Sequence, residues 1–299
     1  MLVGEPGIGK TRTTQELASY AESRGAQVFW GRCYEDEGTP PYWPWVQTMR
    51  SYVQQASREQ LTAEIGSGAA AIAEIVPEIL GKLPGLETPP ALDPEAARFH
   101  LFDSITTFLK NAAQNQPLMM VLDDLHWADR SSLLLLEFLA RELGEARILL
   151  VGCYRDTDLS RQHILTETLA QLSREPVFRR QVLRGLSQDD LGEFINLTTG
   201  VQLPQNLNDT LFAHTEGNPF FMTEIIRLLS ESGELTAEHI GTPEGIKIPA
   251  GVREVIGQRL NRLSERCNEV LTTASIIGRE FDFRLLNILN GEIFEEQLL

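Results

Sequence analysis

The first eleven residues, Met1-Leu2-Val3-Gly4-Glu5-Pro6-Gly7-Ile8-Gly9-Lys10-Thr11, constrain this chain more than any other stretch. Gly4 to Thr11 follow the pattern G-x-x-x-x-G-K-[ST], between an apolar strand end and a helix-prone stretch from Arg12 to Ser23. Gly4, Gly7 and Gly9 permit φ > 0 and so bring successive N–H groups round into a concave anion nest. The positive end of the following helix closes it. Such a nest holds phosphate, and Gly4, Glu5, Pro6, Gly7, Ile8, Gly9, Lys10, Thr11 and Arg12 are its expected lining. Lys10 is expected between the β- and γ-phosphates and the Thr11 hydroxyl on Mg²⁺. A Gly-rich turn with a chance Lys-Thr is the alternative, and the agreement of strand, loop and helix argues against it. A buried parallel strand usually runs about five or six residues. Only Met1 to Val3 precede the loop, so the first strand reads as clipped and Met1 as an internal start or the edge of a fragment.

At 299 residues the length suits about two domains. The 42 acidic and 26 basic residues leave a net charge of −16, which repels a phosphate backbone, so nonspecific nucleic-acid binding is not expected. Cys33, Cys153 and Cys267 are widely spaced and odd in number. They argue against a disulfide framework or a zinc site and read as buried thiols in a reducing, cytoplasmic compartment. The longest apolar runs, such as Leu133 to Leu136 and Ile148 to Val151, fall far short of the roughly 20 residues of a membrane span.

Apolar, strand-like segments recur at Gln27 to Gly31, Leu118 to Leu122, Ile148 to Val151 and Gln181 to Leu183. Between them, helical patterns fall near 45–57, 95–113, 131–143 and 163–173, which predicts a doubly wound α/β sheet covered on both faces. After Leu186 the signals are helical. Ser187 with Asp190 resembles a capping box, Pro219 sits at a first-turn position, and Ser264 with Asn268 opens another amphipathic run. Gly85 to Pro94 reads as a loop and Thr242 to Gly245 as an interdomain linker.

The strand Leu118 to Leu122 runs into two carboxylates, Asp123 and Asp124. Ligands gather at the carboxyl ends of parallel strands. Asp123 is therefore expected in the Mg²⁺ shell, and Asp124 as the group that polarises an attacking water. A helix cap is the alternative for either acid. An Asp reaches one methylene less far than a Glu, so slow turnover is expected. His126 and Trp127, with no second metal-ligand residue at suitable spacing, read as structural, and Asp129 as a helix N-cap. Arg155, after the strand ending at Val151-Gly152-Cys153-Tyr154, reads as a γ-phosphate sensor. An ion pair with Asp156 or Asp158 is its alternative.

Taken together, Asp123-Asp124-Leu125-His126-Trp127-Ala128-Asp129, the Cys33 to Trp45 segment, Tyr154-Arg155-Asp156 and Glu216-Gly217-Asn218-Pro219-Phe220-Phe221 resemble the AAA+-related STAND ATPases. Those are ATPase modules that precede effector domains in LuxR-type regulators, adenylate cyclases and signalling kinases of bacteria. The resemblance implies ATP as the nucleotide, Arg155 as the first sensor, and Pro219 in a helical lid against the adenine. For Gly217-Asn218-Pro219 a helix stop followed by a new start is the alternative. The stretch from Ile248-Pro249-Ala250-Gly251-Val252-Arg253 through Ile276-Ile277-Gly278-Arg279-Glu280-Phe281 is similar to the entry of the family's winged-helix domain. The expected layout is thus a P-loop ATPase core over 1–186, a lid over 187–245 and an incomplete winged-helix-like domain over 246–299. The implied function is a slowly hydrolysing ATP switch with Lys10, Asp124 and Arg155 as its catalytic residues. Its expected partners are ATP, ADP, a linked effector domain and other proteins, with ATP-dependent oligomerisation. A catalytically silent, ADP-holding scaffold is the second reading, and a DNA-associated ATPase the third.

Overall fold

The computed structural model describes residues 1–35, 38–86, 92–159, 163–200, 202, 205–231, 257, 260–261, 263–278, 286 and 289. The chain divides into two compact units, Met1–Gly185 and Leu186–Leu299.

The first unit is built on five parallel strands, β1 (Leu2–Val3), β2 (Gln27–Arg32), β3 (Leu118–Asp123), β4 (Ile148–Tyr154) and β5 (Gln181–Val182). Its helices are α1 (Lys10–Ser23), α2 (Trp43–Gln55), α3 (Arg58–Ile65), α4 (Ala69–Ala73), α5 (Glu78–Lys82), α6 (Pro94–Asn115), α7 (Arg130–Glu142) and α8 (Ile164–Leu172). The strand order is β2-β3-β4-β1-β5. Every residue of β3 is buried, as its unbroken apolar run requires of a central strand covered on both faces. Alternation along β3 sends Leu118, Met120 and Leu122 into one apolar layer, shared with residues of α2, α6 and α7. Met119 and Val121 enter the opposite layer with Ala18 of α1. The expected doubly wound α/β sheet is present.

Two close fits anchor the larger layer. A Cβ on Gly31 of β2 would lie 2.0 Å from the Pro44 carbonyl oxygen, so α2 packs against bare backbone there. The Trp45 indole, fully buried, donates to the Ser132 carbonyl at 2.9 Å. A polar knot sits between α2, α3 and α6. Glu64 is buried and accepts from Tyr52 Oη at 2.5 Å, from Gln60 Nε2 at 3.1 Å and from Asn115 Nδ2 at 2.8 Å.

All elements described in the second unit are helices: α9 (Gln188–Thr199), α10 (Gln205–Thr215), α11 (Pro219–Glu231) and α12 (Glu265–Ile277). Ser187 and Asp190 form the expected capping box at α9, which Gly200 ends in the left-handed region at φ 73°. Leu191, Ile195, Leu211, Met222, Ile225 and Ile226 make a small apolar core among α9, α10 and α11. Pro219 opens α11 after Gly217, whose φ is 74°. A Cβ on Gly217 would meet the Leu186 carbonyl oxygen at 2.1 Å. The expected linker at Thr242 to Gly245, the Ile248 to Arg253 segment and much of 246–299 lie outside the described residues. Among the described residues, no helix is long and apolar enough to cross a membrane.

Candidate functional site

The site forms where β1, β3 and β4 end. β1 delivers the chain into Gly4, whose added Cβ would stand 2.8 Å from the Leu183 carbonyl oxygen, and the loop then turns through Gly7 at φ 80°. Gly9, at φ 103° and ψ 15°, precedes α1 with no side chain capping it, and a Cβ there would project into open space. The first turn of α1 therefore keeps its N–H groups without a side-chain cap, as an anion site needs. Lys10 folds back over the loop. Its Nζ donates to the carbonyls of Gly4 at 2.7 Å and Glu5 at 2.9 Å, with only 8% of the residue exposed. Burial first, and the Arg155 charge second, push its pKa down, against the pull of Asp124 and Asp123. An ammonium so placed gains from an incoming polyanion. Thr14 ties α1 to β4, its hydroxyl donating to the Lys10 carbonyl at 2.9 Å and lying 3.3 Å from Cys153 Sγ. Arg12 points elsewhere and pairs with Glu16 at 2.6 Å on the exposed face of α1.

Asp123 ends β3 with 2% of its surface exposed. Its Oδ2 accepts from Thr11 Oγ1 at 3.3 Å and from Arg32 Nη2 at 3.2 Å, and its Oδ1 from the Asp124 backbone N–H at 3.1 Å. Asp124 adopts φ 58° and ψ 42° and makes no side-chain cap bond to the short 3₁₀ turn Leu125–Trp127 that follows, so the capping alternative is not realised there. Burial, then the neighbouring Asp123, raise its pKa, while Arg155, Arg32 and Lys10 pull it back. Its Oδ2 is 3.9 Å from Arg32 Nε and its Oδ1 4.0 Å from His126 Nε2.

β4 lies between β3 and β1 in the sheet, so Arg155, just past its end, falls between the carboxylates and the phosphate loop. Its Nη1 is 3.6 Å from Asp158 Oδ2, one of the two partners left open for it. The same Asp158 oxygen is 3.5 Å from His126 Nε2. His126 is buried, as expected of a structural residue, and its ring centroid is 5.1 Å from that of Trp127. Contacts of 3.5 to 4.0 Å thus connect Asp124, His126, Asp158 and Arg155. Asp129 is the N-cap of α7, accepting from Ser132 N at 3.0 Å. Pro219 belongs to the second unit.

Arg32 was not visible in the sequence as a site residue, whereas Asp158 is the ion-pair alternative foreseen for Arg155. The only local sign for Arg32 was its position after the apolar run of β2, and register with Asp123 gives it its partner. A Thr hydroxyl and a buried carboxylate oxygen 3.3 Å apart, beside the glycine loop, are hard oxygen donors of the kind Mg²⁺ takes along with phosphate oxygens. The residues fit a Mg-nucleotide.

Residues 1–151 match the family model of an AAA ATPase domain. An uncharacterized protein of Rhizobium meliloti (strain 1021) is 23% identical over 309 residues, covering 97% of this chain and 28% of its own length. Among solved structures, a signal transduction ATPase with numerous domains from Pyrococcus horikoshii, bearing a tetratricopeptide repeat sensor, aligns with 99% of this chain and 35% of its own. Its identity is 13% and its TM-score 0.46. The RuvB Holliday junction branch migration motor of Thermotoga maritima aligns with 98% of this chain and 74% of its own, at 14% identity and a TM-score of 0.38. The chain spans 28% of the length of the curated relative it matches.

Proposed function

The chain belongs to the AAA ATPase domain family, and from that premise we propose that it is an ATP-binding, slowly hydrolysing switch of the STAND type that controls a linked effector. The observation that carries the proposal is the meeting of Lys10, Thr11, Asp123, Asp124 and Arg155 at one end of the sheet. Lys10 exchanges its loop carbonyls for phosphate oxygens, and the first turn of α1 donates to the same group. Thr11 and Asp123 would hold Mg²⁺, which would supply charge neutralisation at the phosphoryl oxygens. Asp124 orients the attacking water and takes up its proton, over a reach one methylene shorter than that of a Glu. Arg155 has two alternative partners, Asp158 without a γ-phosphate and that phosphate when it is present. A side chain shared between two states is what a switch needs. Pro219, in this reading, lies against the base.

Calorimetric titration with Mg-ATP tests the first step. Lys10→Ala should bind at least tenfold more weakly than the parent, a loss of about 1.4 kcal/mol, and equal affinities would remove the proposal. In single-turnover assays Asp124→Asn should keep its affinity and lose hydrolysis. A variant as fast as the parent would leave Asp124 a surface acid. Arg155→Ala should lower the preference for ATP over ADP, and an unchanged ratio would make Arg155 a structural ion-pair partner.

A further inference from the structure

The two oxygens of Asp123 are both engaged, Oδ1 by the next backbone N–H and Oδ2 by Thr11 and Arg32. Thr11 and Arg32 meet on the same Oδ2 atom, so a metal shared by Thr11 and Asp123 would compete with Arg32 for that carboxylate. Arg32 Nη2 stands 3.2 Å from it, and Nε of the same guanidinium 3.9 Å from Asp124 Oδ2, so one planar cation spans both acids. We propose that Arg32 is the resident cation of this metal site, neutralising the acid pair when no metal is bound and yielding Asp123 when a divalent cation arrives. The inference rests on the reading of Thr11 and Asp123 as metal ligands.

Three observations support an exchange rather than a fixed salt bridge. Asp123 is buried, and two adjacent, largely desolvated carboxylates without a counter-charge are costly. Mg²⁺ is small and demands oxygen ligands at roughly 2.1 Å in octahedral array, which a guanidinium on the same oxygen obstructs. Finally, the backbone of Arg32 is clamped while its head is not. Gln47 Nε2 donates to the Arg32 carbonyl at 2.9 Å and Gln47 Oε1 accepts from its N–H at 3.4 Å, yet 51% of the side chain is exposed. The guanidinium can swing into solvent without moving β2.

The test is a Mn²⁺ titration of the nucleotide-free protein, with free ion read by electron paramagnetic resonance, on the parent, Arg32→Gln and Arg32→Lys. Arg32→Gln should bind Mn²⁺ at least threefold more tightly, and Arg32→Lys, which keeps the charge, should stay within twofold of the parent. Circular dichroism verifies the fold of each. Equal or weaker Mn²⁺ binding by Arg32→Gln overturns the proposal. So does a loss of ATP affinity by Arg32→Gln in EDTA, which would make Arg32 a phosphate ligand. A parent that fails to bind Mg-ATP would instead count against the proposed function, and the Mn²⁺ comparison would still decide the role of Arg32.

Discussion

Gly31 is where two backbones come closest, with the Pro44 carbonyl oxygen only 2.0 Å from where a Cβ would stand. α2 cannot retreat cheaply, because Trp45 and Val46 beside that carbonyl are buried. Gly31→Ala should therefore lose at least about 3 kcal/mol in urea denaturation. A midpoint like the parent's would show that α2 slides freely over β2. Asp124 has its own backbone demand at φ 58°, a region that Asn enters readily and β-branched residues avoid. The Asn variant is thus the cleaner probe of its carboxylate. Lys10, Thr11 and Asp123 were legible in the sequence because a local pattern of loop, helix start and strand end specifies them. Arg32 was not. The apolar run suggested a strand ending at Gly31, whereas β2 continues through Arg32, and the pairing with Asp123 arises from cross-strand register, which no local pattern encodes.

Asp129 fastens two helices. It caps α7 through Ser132 N at 3.0 Å and also hydrogen-bonds the Ser132 hydroxyl, while its Oδ2 accepts from the Tyr42 N–H at 3.2 Å just before α2. Asp129→Ala should cost about 1 to 2 kcal/mol, at the high end for a cap because a second helix start loses its acceptor. A thermal melt unchanged from the parent would mean that water replaces both bonds. The cap itself was readable, since Asp129 shortly before Ser131, Ser132 and an apolar run is a helix-start signal. The long helices α6 and α7 were readable from their periodicity. α3, α4 and α5 were not, because they are short and interrupted near Gly66 and Gly68, and α3 turns a buried Glu64 inward where an amphipathic stripe would place an apolar residue. Removing that acceptor by Glu64→Ala leaves Tyr52, Gln60 and Asn115 donors without it, and should cost about 1 to 3 kcal/mol by chemical denaturation. A cost near zero would show that the three donors find other partners.

Across the whole molecule the three thiols fall into two classes. Burial pushes Cys33 up to about 12 and Cys153 up to about 11, and both side chains are shielded. At pH 8 both therefore stay in the unreactive thiol form. Cys267 is partly exposed. Brief alkylation of the native protein at pH 8, read by mass spectrometry, should label Cys267 and spare the other two. Labelling of Cys33 at a similar rate would mean that the first unit opens readily. The strands were legible from composition and pattern, but their order was not, because an apolar run shows that a strand is covered and not which strand lies beside it. That order has a kinetic consequence. Leu2 pairs with Gln181, and Gln27 with Leu118, so the sheet closes only when remote parts of the chain meet. Helices form in about a microsecond, whereas such parallel closures are slow. On refolding from urea, helical dichroism should recover before binding of a fluorescent ATP analogue does, and simultaneous recovery would contradict this. The nucleotide pocket is then completed only with the sheet of the first unit, and its occupancy reports that closure.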